Sequence, residues 1–148
     1  MAIEGGCECG QCRYQLGLEH LPVTYACHCL NCQTMSGSSN ILQAPIPEAK
    51  LDLRGEIKIW ASETPSGFDF QQRYCPTCLT RLYSTSTSRP GLALLRAGTL
   101  DDSQRLSPVM HIWTKRKQQW IALPEDVETY EEAAPIERSQ ALFAPNFS

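Results

Sequence analysis

Three thiols stand within six residues at Cys27-His28-Cys29-Leu30-Asn31-Cys32, with the spacing C-x-C-x2-C. The same spacing occurs earlier at Cys7, Cys9 and Cys12, and a C-x2-C pair follows at Cys75 and Cys78. These clusters hold all 8 cysteines of the chain. No other feature constrains the fold as strongly, because thiolates at such spacings can be aimed at one tetrahedral Zn²⁺ about 2.3 Å away. The thiols could fill two closed sites. They could also fill one closed and one open site and leave one over. The choice separates a structural protein from a catalyst.

With 148 residues the chain is expected to form one domain with a modest core. Its hydrophobic fraction of 42% excludes no class. A net charge of −3 has the wrong sign for a protein that coats nucleic acid. The longest basic run, Lys115-Arg116-Lys117, reads as a solvated turn. Residues Met1 to Gly6 lack the basic and apolar regions of a secretory signal. No apolar run approaches the ~20 residues of a membrane helix. We therefore expect a cytoplasmic, reducing location, where clustered cysteines serve as metal ligands more readily than as disulfides. Neither a nucleic-acid partner nor a membrane is expected, and the oligomeric state is left open.

Along the chain, Gly10 suits a turn with positive φ. Cys12, Tyr14 and Leu16 alternate with Arg13 and Gln15 as a short strand, which puts Cys12 on the inward face as a small hydrophobe. Val23 to Ala26 is a second strand leading into Cys27. Leu30 to Met35 can form a turn and a half of helix stopped at Ser36-Gly37, with its first N–H groups facing the thiols. Ser39 to Ile46 reads as a strand whose Pro45 and Pro47 mark an edge or an exit. Leu51 to Leu53 and Ile57 to Trp60 flank Arg54-Gly55-Glu56 as a hairpin. Thr64-Pro65-Ser66-Gly67 is a turn, and Phe68, Phe70, Gln72 and Tyr74 share a strand face ahead of the Cys75–Cys78 knuckle. Thr80 to Ser84, Leu92 to Ala97 and Pro108 to Thr114 are further strands, and Ser84 to Gly91 is a loop by composition. The acidic, proline-containing segment from Pro124 is expected to be poorly ordered or draped on the surface. Many short strands and little helix indicate a mainly β domain.

The knuckle at Cys75 and Cys78 supplies two ligands and must borrow two. Cys7 and Cys9 could complete it as a closed four-thiolate site, a cross-link worth on the order of 10 kcal/mol in zinc-finger peptides. Cys27, Cys29 and Cys32 then remain, and three ligands with a vacant fourth position is the arrangement of a catalytic zinc. If Cys12 reached that second site it would close it. The phase of the strand argues that Cys12 is not a ligand.

The ordered set Gly6-Cys7-x-Cys9-Gly10 with Arg13-Tyr14, Cys27-His28-Cys29-x2-Cys32 with Ser36-Gly37, Tyr74-Cys75-x2-Cys78, Gly98-Thr99-Leu100-Asp101-Asp102 and His111-Ile112-Trp113 resembles the glutathione-dependent formaldehyde-activating enzyme family, which includes centromere protein V. The resemblance covers roughly residues 4 to 130. It implies a small β-tent of short antiparallel strands spanning residues 1–130, with 131–148 as a C-terminal tail. It implies two zinc ions per chain: a structural one on Cys7, Cys9, Cys75 and Cys78, and a catalytic-type one on Cys27, Cys29 and Cys32. The activity it implies is that of a carbon–sulfur lyase similar to S-(hydroxymethyl)glutathione synthase, acting on adducts of a small, glutathione-like thiol with a small aldehyde or related electrophile. This chain has Leu79 after Cys78, where the family usually has glycine. Lys115 to Gln119 replace a usual proline-containing stretch before Trp120.

The remaining candidates have plainer roles. His28, between two ligands, is expected to point away and pack or hydrogen-bond. His111 is expected to be a satisfied core or edge histidine, His20 a surface loop residue, and Trp60, Trp113 and Trp120 core or rim aromatics. Asp101-Asp102 reads as a turn. The alternative to an enzyme is a zinc-stabilised binding module without turnover.

Overall fold

The computed structural model describes residues 2–63, 67 and 69–148. The expected turn at Thr64-Pro65-Ser66-Gly67 and the position of Phe68 lie outside the described residues, Gly67 excepted. The fold is mainly β, with 11 strands and two short α-helices among the described residues. The strands are β1 (Ile3–Gly6), β2 (Arg13–Leu16), β3 (Tyr25–Cys27), β4 (Ile41–Pro47), β5 (Leu51–Arg54), β6 (Lys58–Glu63), β7 (Asp69–Tyr74), β8 (Arg81–Ser86), β9 (Leu92–Arg96), β10 (Met110–Ile112) and β11 (Glu128–Thr129). The helices are α1 (Leu30–Ser36) and α2 (Ile136–Phe143).

Two sheets form. A small antiparallel one has the order β1-β2-β5, and an eight-stranded one has the order β11-β10-β3-β4-β9-β8-β7-β6. Period-two alternation sets their facing sides. Tyr14 and Leu16 of β2 turn inward, as do Ala44 and Ile46 of β4 and Ala93 and Leu95 of β9. Together with Ile3, Leu82 and Tyr83 they make one core between the sheets. The Tyr14 hydroxyl is satisfied there by Thr99 Oγ1 at 2.7 Å.

The expected hairpin around Gly55 is not one. β5 pairs with β2, and β6 pairs with β7, so the chain changes sheets at this turn. Gly55 makes the change possible: its φ is +98°, and a Cβ would run into the carbonyl oxygen of Gln11. A local turn signal cannot distinguish a hairpin from a sheet change, because the pairing partners are distant in sequence.

The prolines of β4 behave as an edge within an interior strand. β3 pairs with β4 only from Ile41 to Gln43, whereas β9 pairs with it from Gln43 to Pro47. Pro45 and Pro47 therefore sit past the end of β3, where a missing N–H costs no ladder bond. The C-terminal residues cover that gap. Asn146, wholly buried, accepts from Val23 N at 2.8 Å and donates from Nδ2 to Val23 O at 3.0 Å and Pro45 O at 2.9 Å.

The segment after Pro124 is draped on the surface, as expected, but it is ordered. β11 runs parallel to β10. Glu128 is held by Arg138 (Oε1 to Nε 3.0 Å) and by the Tyr130 hydroxyl at 3.0 Å. Phe143 packs its ring 5.5 Å from that of Tyr25. Acidic composition concealed these non-local partners.

Replacing Asn146 with Ala leaves the buried groups of Val23 and Pro45 unpaired. We expect a loss of about 3 kcal/mol in urea unfolding. A change below about 0.5 kcal/mol would mean that the C-terminal turn is not anchored through this side chain.

Candidate metal centres

The first cluster joins the two sheets. Cys7 and Cys9 come from the turn after β1, and Cys75 and Cys78 from the turn between β7 and β8; their Sγ atoms all lie within 4.8 Å of one another. Cys7 and Cys9 Sγ are 3.6 Å apart, and Cys9 and Cys75 Sγ 3.7 Å. Sulfurs about 2.3 Å from a tetrahedral ion would be separated by about 3.8 Å, so the donor set fits a metal such as zinc. Local hydrogen bonds shape each turn. Gly10 N donates to Cys7 O at 3.2 Å with Gly10 at φ +83°, and Cys12 N donates to Cys7 Sγ at 3.2 Å. In the second turn Leu79 N donates to Cys75 O at 2.9 Å, and Leu79 itself adopts φ +65°. A left-handed residue at this position is what glycine would supply without strain. Cys78 is pulled down to about 5, chiefly by the Thr80 hydroxyl 3.2 Å from its sulfur.

Cys12 belongs to neither group. It is completely buried, and its Sγ donates to Glu56 O at 3.1 Å. Burial first, and then the neighbouring Cys75 and Cys7, push this thiol up to about 12. It therefore lies behind the first cluster and cannot close the second.

The second cluster stands where β3 meets α1. Cys27 ends the strand, Cys29 caps the helix and Cys32 lies in its first turn, with the three sulfurs within 4.8 Å of one another. Cys29 Sγ accepts from Cys32 N at 3.3 Å. Gly37, at φ +66°, ends α1 at the expected place. The Cys32 thiol, and then the backbone at Cys29, pull Cys27 down to about 6, while Cys32 moves upward in return. Gln33 fastens the cluster from outside, donating to His28 O and to Arg116 O, both at 2.8 Å.

The histidines have the plainer roles that were expected. His28 is wholly buried, and its Nε2 meets His111 Nδ1 at 2.9 Å with the rings stacked. Ala26, two residues earlier on β3, is the register partner of His111. His28 is pushed down to about 4, by burial and then by His111. His20 is exposed, with Nδ1 3.1 Å from Leu21 O. Asp101 is held by Arg13 in a two-point ion pair (3.0 and 2.5 Å), and Asp102 pairs with Arg105 at 3.5 Å. They form no acid–base pair. Trp60 and Trp120 are exposed, not core.

Two features of the surroundings were not read from the sequence. A cavity of about 890 Å³ lies between the eight-stranded sheet and the C-terminal residues, lined by Tyr25, Leu94, Met110, Ile112, Ile136 and Phe143 among others. Ile112 of that lining is the register partner of Cys27. Beyond Tyr25, the same sheet face carries Gln43, Arg96 and Gln72. The arginine in Leu92-Ala93-Leu94-Leu95-Arg96 was the available signal, a charge closing an otherwise apolar strand.

A mainly β domain that gathers seven of its eight thiols into two metal-type clusters is the class that fold and geometry define. The chain belongs to the glutathione-dependent formaldehyde-activating enzyme family, whose model matches residues 2–116. A solved structure of a Rhodobacter sphaeroides protein aligns with a TM-score of 0.52 at 19% identity, over 66% of this chain and 87% of that one, a likeness of fold. No curated protein matches the chain.

Two substitutions test this geometry. Cys12→Val nearly conserves volume and should cost less than about 1.5 kcal/mol, with the metal content of the purified protein unaltered. Loss of a metal equivalent would make Cys12 a ligand. Leu79→Gly relieves a left-handed leucine against a smaller entropic cost and should raise stability by up to about 1 kcal/mol. A destabilised variant would contradict the turn.

Proposed function

We propose that the protein is a zinc-dependent enzyme of the carbon–sulfur lyase type, acting on adducts of a small, glutathione-like thiol with a small aldehyde or related electrophile. Family membership supports the reaction class. The observation that carries the reading is the contrast between the clusters. Cys7, Cys9, Cys75 and Cys78 offer four sulfurs, whereas Cys27, Cys29 and Cys32 offer three, and among the described residues no other His, Cys, Asp or Glu joins them. The four would hold a structural zinc and the three a catalytic-type zinc. At the second site the ion would supply Lewis acidity, lowering the pKa of a thiol that binds there.

The chain's own residues do the rest. Cys29 and Cys32 are fixed by the helix turn, and Cys32 N–H stabilises negative charge on Cys29 Sγ. His28 meets His111 through Nε2 and is not among the three sulfur donors. Buried strands around Cys27 exclude bulk water on one side. The free state of all eight cysteines fits the reducing, cytoplasmic location we propose. Among the described residues no helix is long and apolar enough to cross a membrane.

The test compares two serine variants. Cys29→Ser should keep the fold, lose one of two zinc equivalents and abolish thiol-dependent consumption of formaldehyde. Cys75→Ser should give insoluble or molten protein, because the link between the sheets is lost. If Cys29→Ser unfolds as severely as Cys75→Ser, both sites are structural and the binding-module reading replaces the enzyme.

A further inference from the structure

The C-terminal residues stand off from the sheet that they cover. Asn146 pins them to Val23 and Pro45, the Phe143 ring rests on Tyr25, and Arg138 donates to Glu128. Between these anchors they leave the cavity of about 890 Å³. Its floor includes Tyr25, Pro45, Leu94, Met110 and Ile112 of the eight-stranded sheet. Its wall includes Ile136, Phe143 and Phe147. The Tyr25 hydroxyl donates to Gln43 Oε1, so the ring is left to the cavity. Among the described residues that line the space there is no acidic side chain, and the one charged residue, Arg89, is exposed. Ile136 and Phe147 are 72% and 46% exposed, so large apolar groups of the wall stand open to solvent. Unfilled apolar space forfeits the dispersion contacts that close packing supplies. A preformed apolar cavity of this size is the usual form of a small-molecule site.

Cys27 stands beside the floor. Ile112 is its register partner on β10, and Tyr25 lies two residues earlier on β3. Alternation turns Tyr25 and Cys27 to one face. Spacings of about 4.8 Å between strands and about 3.3 Å per residue along one put the Cα atoms of Ile112 and Tyr25 within about 7 Å of that of Cys27. From β10 the floor continues over β3 and β4 to Leu94 on β9. Three strand spacings make that about 14 Å, so the space extends well away from the thiols. The matched family span stops at residue 116, and the wall, from Ala133 onward, lies beyond it. The cavity is thus a feature of this chain's own C-terminal segment.

We propose that this cavity receives the carbon chain of the electrophile, and that the aldehyde joined to the thiol at Cys27, Cys29 and Cys32 is a medium-chain aliphatic or aromatic one. Formaldehyde is little larger than a water molecule, whose share of the liquid is about 30 Å³, and would leave the cavity empty. A lining without an acidic side chain offers nothing to a cationic ligand and suits an uncharged chain. The bond changes are those of thiol addition to a carbonyl. The thiolate sulfur attacks the carbonyl carbon, a C–S bond forms as the C=O π pair moves onto oxygen, and the proton given up by the thiol ends on that oxygen. No oxidant or reductant is needed. The proposal rests on the enzyme reading for the reacting thiol; the cavity stands without it.

The test begins with calorimetric binding of straight-chain alcohols, from ethanol to 1-octanol, to the zinc-loaded full chain. These probes carry the chain and cannot react with a thiol. Affinity should rise about fourfold per added methylene, the effect of burying one. Ile136→Ser and Phe147→Ser remove apolar wall at exposed positions and should each lower the 1-octanol affinity about threefold or more. Glutathione-dependent consumption of octanal and of formaldehyde, above the uncatalysed rate, is measured in parallel. kcat/KM for octanal should exceed that for formaldehyde by about tenfold or more, and both variants should shrink the ratio. Alcohol affinity that does not grow with chain length overturns the cavity, a result that needs no variant to fold. Growth that comes only with dissociation of a dimer also overturns it, giving the face to a second copy of the chain. Chain-length-dependent binding with formaldehyde consumed and octanal not overturns the electrophile and keeps the enzyme. If no aldehyde of any length is consumed, the enzyme reading falls and the electrophile with it, while the alcohols still mark the cavity.

Discussion

Four sulfurs drawn to within 4.8 Å of one another join two sheets that share no strand. As thiolates they would repel strongly at 3.6–3.7 Å, so the arrangement calls for a cation at its centre. The position of that link explains why so small a core suffices. It pins the turn after β1 to the turn between β7 and β8, sixty-six residues away at Cys9 and Cys75. The remaining contacts, Thr80 Oγ1 with Glu8 N and Thr77 Oγ1 with Gln11 Oε1, then form around a fixed point.

The two C-x-C-x2-C triplets have one spacing and two outcomes, decided by the local backbone. After Cys9 the chain turns at Gly10 and enters a strand, so Cys12 alternates into the core. After Cys29 it enters a helix, where residues three apart share a side, so Cys32 returns to its partners. Identical sequence spacing thus produces one redundant thiol and one ligand-type thiol. The first group is completed by a distant knuckle, and the second has no such partner among the described residues.

Features written in short windows were legible: the three clusters, the inward phase of Cys12, the helix stop at Gly37 and the alternation of β2 and β9. Those that depend on distant partners were not. The turn at Gly55 looked like a hairpin because both flanks are strands, yet each flank pairs elsewhere. The segment after Pro124 read as poorly ordered or draped on the surface because its acidic residues have no local partners, and its anchors are distant: Glu128 finds Arg138, and Asn146 finds Val23 and Pro45. Pro45 marked an edge correctly although β4 is an interior strand, because a strand is an edge wherever its neighbour stops. At the site, sequence named the thiols and missed the face beside them, since a lone Arg96 in an apolar strand does not reveal what it faces.

That face departs from the apolar packing of the core. On the inner side of the eight-stranded sheet, Ala44, Ile46, Ala93 and Leu95 pack as an ordinary apolar core. On the other side, across β4, β9, β8 and β7, the chain buries Gln43 and Gln72 and half-buries Arg96 and Arg81, leaving donors unmet. Apolar residues at those positions would give a more stable protein, because buried charge is costly unless it is paired. Local departures from stable packing are expected where a site must meet a ligand and not itself. Gln43 and Arg96 lie one and two strands from Cys27 on its own face, and their strands β4 and β9 also line the apolar cavity, so the departure begins beside the trio and runs on to β8 and β7.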